Sequence, residues 1–269
     1  MQGKLYFVAT PIGNLKDITL RAIEVLKSVD LILCEDTRDS QKLLNHYEIK
    51  KPLKSYHKFN YKSAIPEVIN LLKEGKHIAL ITDAGTPCIS DPGSELISFL
   101  NAENLYYTII PGACAFVNAF ALSGFSAPLT FIGFLPENSK DQKRLLESIK
   151  DYQSTLLFYC APHKLIANIK TIYSVFGERN CCTVRELTKL HEQIEYFTLS
   201  QGYPKEPKGE FVLVVEGASQ VENPLNNLTV LKHFDYYIKQ NFSKNDAIKQ
   251  VAKDRNVAKN IIYKQIIEK

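Results

Sequence analysis

The residue types best suited to hold a ligand follow short apolar runs in the first half of the chain. The run 78–82, IALIT, breaks at once into the loop 83–93, which carries two carboxylates, two glycines and two prolines. Gly85 and Gly93 allow a positive φ or direct contact between backbone and ligand. We expect a helix from Ser94, with Ser90 or Asp91 as its N-cap and Pro92 in its first turn. The alternative is a plain strand, turn and capped helix.

Three other apolar runs end in the same way. They lead into TPIGN at 10–14, EDTR at 35–38 and PGACA at 111–115. Strands alternating with helices at this spacing predict an α/β domain with a largely parallel sheet. Loops that leave the carboxyl ends of parallel strands line the ligand crevice of such a sheet. The four loops are therefore expected at one sheet edge.

The second half again alternates strands and helices, after a flexible segment rich in small residues, LSGFSAP at 122–128. We predict an N-terminal α/β domain over 1–124, a C-terminal α/β domain over 125–227 and a basic helical tail over 228–269. The turn-rich segment 202–210 lies between two strands and predicts a hairpin.

Composition narrows the class of protein. The chain has 269 residues, 45% of them apolar and 23% charged, which is ordinary for a globular protein, and it begins without an apolar segment of secretory length. We expect a cytoplasmic protein. The six cysteines show no zinc spacing, so neither a metal site nor a disulfide framework is indicated, and we expect small buried residues. The segment 230–269 holds nine lysines and arginines against four carboxylates, a net charge of +5, which leaves −1 for the first 229 residues.

The loops in this order, followed by RELTK at 185–189, resemble the tetrapyrrole-methylase-fold (class III) methyltransferases over roughly residues 4–217. The resemblance implies two α/β domains of this type with a short C-terminal helical tail. It is strongest to the branch that methylates a ribose in ribosomal RNA. Cys88 stands where that branch usually has a small residue such as glycine, and Ala113, Cys114 and Ala115 replace a more typical Pro-Ser-Ala. The tail resembles a helix-turn-helix with Asn256 in place of the usual glycine.

The resemblance implies S-adenosylmethionine as cofactor, bound in the cleft between two α/β domains. It implies 2′-O-methylation of a cytidine in the decoding region of 16S rRNA, on the assembled 30S subunit, by an enzyme that is commonly a homodimer. Ile89 and Phe116 would supply an apolar adenine wall. The residues expected to line the cofactor are Pro11, Ala84, Gly85, Thr86, Ile89, Ser90, Cys114, Ala115, Tyr159 and Cys160. Tyr159 and Cys160 also fit plain strand positions, and Cys114 fits a packing role.

Methyl transfer to a hydroxyl needs a base only for the hydroxyl proton, since alignment supplies most of the acceleration. Asp36 and Glu186 are the candidate bases. Arg38, Arg185 and Lys189 are candidate phosphate anchors or positive charges near the developing oxyanion. Internal salt bridges and helix caps remain open for all five. His57 and Asn60 are candidate RNA contacts, or merely solvated loop residues.

Three other functions are open. A methyltransferase of the same fold acting on a small tetrapyrrole-like substrate would share the cofactor loops. A nucleotide- or phosphate-binding α/β enzyme would share the fold, but the chain has neither G-x-G-x-x-G nor G-x-x-x-x-G-K-[ST]. A non-catalytic RNA-binding module would explain the basic tail but not four loops at one sheet edge.

Overall fold

The computed structural model describes residues 2–91, 93–219 and 224–267. They belong to two compact units, Met1–Ala218 and Ser219–Lys269. The first unit contains the predicted domain 1–124 and residues 125–218 of the predicted domain 125–227, and the boundary at 124 separates its two sheets. The three-part division stays a prediction. Within the described ranges no helix has both the length and the apolar character needed to cross a membrane.

The first sheet is parallel throughout, in the strand order β3-β2-β4-β1-β5. Its strands are β1 (Lys4–Val8), β2 (Leu31–Cys34), β3 (Leu53–Ser55), β4 (Ile78–Leu80) and β5 (Tyr106–Ile110). Its helices are α1 (Leu20–Ser28), α2 (Thr37–His46), α3 (Tyr61–Lys73) and α4 (Ser94–Ala102). Strand β4 is central and fully buried, as expected in a parallel sheet covered on both faces. This burial explains why its residues form an unbroken apolar run.

The second sheet has the order β6-β7-β10-β8-β9 and is mixed, with only β6 and β7 parallel. Its strands are β6 (Leu129–Phe134), β7 (Thr155–Cys160), β8 (Asn180–Arg185), β9 (Gln193–Thr198) and β10 (Phe211–Val215). Helices α6 (Ser139–Ile149) and α7 (Pro162–Phe176) accompany it.

The predicted hairpin across 202–210 is wrong. β9 pairs with β8, and β10 lies between β7 and β8. The reason is burial. All five residues of β10 are buried, which suits a central strand. In β9 apolar residues alternate with polar ones, which suits a strand at the sheet edge.

Helix α5 (Ala115–Ser123) follows β5 in the chain but packs on the second sheet, against β7, β8 and β10. Ala119 of α5 is fully buried there with Leu157 and Val214. The other face of β10, with Leu213 and Val215, belongs to the core that includes residues of α6 and α7. The loop 111–115 is thereby held between the two sheets.

The second unit contains α8 (Val230–Lys239), α9 (Lys244–Asp254) and α10 (Lys259–Ile267) around its own core of Phe234, Ile248, Val251 and Ile262. Thr229 and Ser243 cap α8 and α9. Asn256, between α9 and α10, has a φ of 51°. Asparagine is the residue besides glycine that most readily adopts this left-handed conformation, which explains the substitution at this turn.

Candidate functional site

The four loops that follow β1, β2, β4 and β5 meet at one edge, as the sequence predicts. Thr10 and Gly85 exchange two backbone hydrogen bonds, of 2.9 and 3.1 Å. The amide of Asp36 donates to Asp83 Oδ1 at 3.2 Å, and Thr86 Oγ1 donates to the carbonyl of Ala113 at 3.0 Å. The loop 83–93 is therefore bonded to each of the other three.

A cavity of about 480 Å³ opens beside these loops and continues against the second sheet. Nine of the ten predicted cofactor residues line it, and Pro11 does not. The nine are Ala84, Gly85, Thr86, Ile89, Ser90, Cys114, Ala115, Tyr159 and Cys160. Of the predicted adenine wall, Ile89 lines the cavity, whereas Phe116 stacks on Phe131 with ring centroids 4.2 Å apart. The volume falls in the range of small-molecule sites.

Gly85 is the glycine of the loop that lines the cavity. Its φ is +83°, and a Cβ at this position would lie 3.2 Å from Ile12 Cγ2 and 3.6 Å from the Ala113 carbonyl oxygen. The residue lacks a side chain where the backbone borders the cavity, which is the usual reason for glycine at a ligand contact. A nucleoside cofactor fits this cradle.

Four carboxylate residues line the cavity that the sequence reasoning did not assign to it, Glu35, Asp83, Asp91 and Glu210. Asp91 is free to do so because it does not cap α4: the N-cap is Gly93, without a side-chain hydrogen bond. The predicted Ser90 or Asp91 cap is thus wrong, and Pro92 lies outside the described residues. The signal that could have identified Asp91 is its place in a glycine- and proline-rich loop after a buried strand.

Burial, and to a smaller extent repulsion from Glu35 and Asp83, raises the pKa of Asp91 to about 6. The pKa of Glu35 is also raised, by burial and by Asp83, although Lys58 and His57 oppose the shift. The pKa of Asp83 is raised chiefly by loss of hydration, against the hydrogen bond from the Asp36 amide. Like charges near one another in a partly buried cavity favour shared protons or a bound cation.

Asp36 and Arg38 do not line the cavity. Asp36 is the N-cap of α2, where its Oδ1 accepts from the Arg38 amide at 2.8 Å, and its Oδ2 pairs with the Arg38 guanidinium at 2.9 Å. The side-chain bond and then the backbone bond from Arg38 lower the pKa of Asp36 to about 2. The cap directs Asp36 to its own helix, whereas Glu35, one residue earlier, lines the cavity.

Glu186 and Lys189 form a clip outside the cavity. Glu186 Oε1 accepts from the Glu210 amide at 2.8 Å and from Lys189 Nζ at 3.1 Å, and Lys189 Nζ also bonds Glu210 Oε2 at 2.9 Å. Burial would raise the pKa of Glu186, but these hydrogen bonds and the charge of Lys189 lower it. Arg185 Nε donates to the Lys208 carbonyl. These residues hold the loop after β8 against the start of β10.

His57 and Asn60 stabilise their own loop. The His57 amide donates to Asn60 Oδ1 at 2.8 Å, and Asn60 Nδ2 donates to the Ser55 carbonyl at 3.0 Å. Of the cysteines, 34, 160, 181 and 182 are buried as expected, whereas Cys88 and Cys114 are half-buried. Cys88 has a φ of 69°, a left-handed conformation that glycine adopts without strain. In the part of the chain that the structure describes, no three metal-ligating side chains come together.

The model of the family Tetrapyrrole (Corrin/Porphyrin) Methylases matches residues 4–201, and the chain belongs to this family. It is a methyltransferase, and methyltransferases of this family use S-adenosylmethionine. Among solved structures, its fold is similar to that of the methyltransferase CobJ, with a TM-score of 0.62 at 16% identity over 80% of this chain and 95% of the other. Diphthine synthase gives a TM-score of 0.62 at 14% identity over 80% and 90%.

Relatives of higher sequence identity share the name "Ribosomal RNA small subunit methyltransferase I". The chain is 43% identical to the relative from Bacillus subtilis (strain 168), over 97% of this chain and 93% of that one. It is 38% identical to the relative from Synechocystis sp. (strain ATCC 27184 / PCC 6803 / Kazusa), over 99% and 98%. It is 44% identical to the relative from Thermotoga maritima (strain ATCC 43589 / DSM 3109 / JCM 10099 / NBRC 100826 / MSB8), over 80% and 99%.

Proposed function

We propose that this protein is a cytoplasmic methyltransferase that methylates the 2′-hydroxyl of a cytidine in the decoding region of 16S rRNA, on the assembled 30S subunit. The observation that carries the proposal is the cavity built by four strand-end loops, in a chain 43% identical over 97% of its length to a relative named for small-subunit ribosomal RNA methylation. We further propose a homodimer, as is common in the family.

S-adenosylmethionine supplies an electrophilic methyl group on a sulfonium sulfur. The cavity suits it in shape and charge. Gly85 and the small residues Cys114 and Ala115 permit close backbone approach, and Ile89 and Tyr159 offer apolar surface. Glu35, Asp83 and Asp91 give the cavity a negative charge that complements a cation. We propose the nine lining residues, together with Pro11, as the cofactor site.

The hydroxyl proton must leave as the bond from oxygen to the methyl carbon forms and the carbon–sulfur bond breaks. We propose Asp91 as its acceptor, because it lines the cavity and its pKa of about 6 leaves it mostly ionised yet basic at neutral pH. Asp36 and Glu186 remain candidates, with Arg38 and Lys189 as charged neighbours. Their pKa values are lowered by hydrogen bonds, which makes both weaker bases.

We propose that the second unit contributes to RNA binding. Its cations Lys253 and Lys264 are exposed and have no carboxylate within ion-pair distance among the described residues, whereas Lys249 is paired with Asp246 at 3.0 Å. Cations without an internal partner gain most from contact with phosphates, since they release counterions without breaking an ion pair.

Transfer of a labelled methyl group from S-adenosylmethionine to purified 30S subunits lacking the modification tests the function, followed by mapping of the ribose-methylated nucleotide. We expect one labelled 16S rRNA cytidine and none on 50S subunits. The main alternative is a small tetrapyrrole-like substrate, as the names uroporphyrin-III-C-methyltransferase and cobalt precorrin-4 methyltransferase suggest for two structural relatives. Label in a tetrapyrrole and none in 30S subunits would refute the rRNA proposal.

A further inference from the structure

A second depression, an open groove of about 690 Å³, borders the cofactor cavity. Its walls are the loop 13–16, His46 at the end of α2 and the residues 188–190. The two depressions are continuous along the chain at two places. Ile12 lines the cavity and Gly13 the groove, and Leu187 lines the cavity and Thr188 the groove. A polymer lying in the groove would therefore pass the mouth of the cavity.

The two walls are held together by direct contact. A Cβ at Gly13 would lie 2.4 Å from Lys189 Cγ, so the absence of a side chain lets the lysine stem lie against the loop. On the other side, Tyr47 Oη donates to the Leu15 carbonyl at 2.5 Å, and the His46 ring contacts the Tyr47 ring at 4.7 Å between centroids. These contacts fix the position of both walls of the groove.

The side chains that line the groove are basic or uncharged. No described residue that lines it is acidic, and its basic members are Lys16, His46 and Lys189. Lys189 is neutralised by Glu186 and Glu210, but the exposed Lys16 has no carboxylate within ion-pair distance among the described residues. The available phosphate anchor is therefore Lys16, and Lys189 supports the wall.

The groove also presents groups suited to an unstacked nucleotide. Leu190 is 92% exposed and Leu15 is 40% exposed, which places two aliphatic side chains beside the free cation. The Thr188 Oγ1 is buried from solvent and has no hydrogen-bond partner, and Thr188 has a φ of 65°, which a β-branched residue rarely adopts. Strained residues of this kind concentrate at binding sites.

From this arrangement we propose that the groove holds the single-stranded RNA that flanks the target nucleotide, with Lys16 on a phosphate and Leu190 against a base or ribose. We infer RNA as the occupant from the free Lys16 cation and the exposed Leu190 side chain together, since single-stranded RNA offers both phosphates and unstacked bases. The proposal rests on the proposed rRNA methyltransferase function. It adds the surface that delivers the ribose to the cavity.

The test compares Lys16→Glu and Leu190→Ser with Lys143→Glu, which reverses the charge of an exposed α6 lysine that lines neither depression. Steady-state methylation of 30S subunits is measured with binding of S-adenosylmethionine by calorimetry. We expect Lys16→Glu to raise KM for 30S subunits about tenfold and to flatten the log–log salt dependence of binding by about 0.7, the effect of one lost contact to single-stranded RNA. Leu190→Ser raises KM without changing the salt slope.

Cofactor affinity and the maximal rate should be those of the wild type in both groove variants, which separates RNA delivery from loss of folding. If both have the KM and salt slope of Lys143→Glu while the wild type methylates 30S subunits, the groove proposal is overturned and the function stands. If the wild type transfers no methyl group to 30S subunits, the proposed function fails, and the groove proposal fails with it.

Discussion

Thr10 and Gly85 pair like residues of neighbouring strands, each amide donating to the other's carbonyl, although both lie beyond the ends of β1 and β4. This bridge joins two loops beside the cavity that Gly85 lines, and Gly85 has a φ of +83° there. The backbone of residue 85 therefore has no freedom to retreat if a side chain is added.

Gly85→Val is expected to abolish cofactor binding, because its Cβ would already lie 3.2 Å from Ile12 Cγ2 and its branches would enter the cavity. In the wild type, S-adenosylmethionine at a hundredfold excess over Kd should stabilise the fold by about 2.7 kcal/mol. A thermal-shift titration should show this shift in the wild type and none in a folded Gly85→Val protein. Gly124→Val is the control, since Gly124 shares a positive φ but has open space around its Cβ position. A normal shift in Gly85→Val would remove this residue from the site.

Asp91→Asn is expected to lower the single-turnover rate of methyl transfer by about 10²- to 10⁴-fold while leaving the variant folded, because the amide cannot accept the hydroxyl proton. The wild-type kcat/KM should fall as the pH drops below about 6, because burial and the neighbouring carboxylates raise the Asp91 pKa to that value. The pH profile of the residual activity in Asp91→Asn should lack this limb. A near-normal rate in this variant would exclude Asp91 as the base.

Asp36→Asn separates the two roles open to Asp36. Asparagine retains N-cap capacity, so the stability of α2 should hold, whereas Asp36→Ala should cost about 1 kcal/mol in denaturant unfolding. If Asp36 were the base, Asp36→Asn would lose turnover far more than cofactor affinity. Glu186→Gln allows the same comparison of turnover with cofactor affinity for the clip formed by Glu186 and Lys189. We expect near-normal single-turnover rates on 30S subunits in both amide variants, and a large loss in either would return the base to that residue.

We expect the stability of the second unit to depend on pH because of the buried His233 ring. The ring is fully buried, with Nε2 3.1 Å from Asp254 Oδ2 and Nδ1 accepting from Arg255 Nε at 3.2 Å, beside the Tyr237 ring. Burial lowers its pKa below the ordinary 6.5, with Arg255 acting in the same direction and Asp254 opposing. The unfolded chain therefore takes up a proton first, and stability should fall as the pH drops through 6.5 towards the lower folded value. Hydrogen exchange of residues 230–267 at pH 7.5 and 5.5 measures this.

The control for that experiment is His233→Gln, which cannot titrate, with the exposed His163→Gln as the matched substitution. The pH dependence should weaken in His233→Gln and persist in His163→Gln. Equal pH dependence in the wild type and His233→Gln would assign the effect to other groups, of which Asp254 is nearest.

The strand pattern was sufficient to predict the four loops at one edge, because the carboxyl ends of parallel strands share an edge whatever the helices between them do. The nine predicted residues around the cavity came from the family resemblance, since two of them, Tyr159 and Cys160, belong to β7 of the second sheet. The sequence was insufficient where the outcome depends on one neighbour. Glu35 and Asp36 are adjacent carboxylates, and capping of α2 by Asp36 decides which of them lines the cavity. The position of β10 between β7 and β8 depends on pairing with distant strands, which local turn residues do not specify.

Lys253→Gln together with Lys264→Gln is expected to weaken binding of 30S subunits and to flatten its salt dependence. Each lost phosphate contact should reduce the log–log slope by about 0.7 to 0.9, because fewer counterions are released on binding. Both lysines are exposed, on α9 and α10, so their substitution leaves the core around Val251 and Ile262 intact. Lys249→Gln is the matched control, because the Lys249 ammonium is already paired with Asp246. An unchanged slope in the double variant, with cofactor binding intact, would assign RNA anchoring to the first unit and leave the tail as a solvated basic surface.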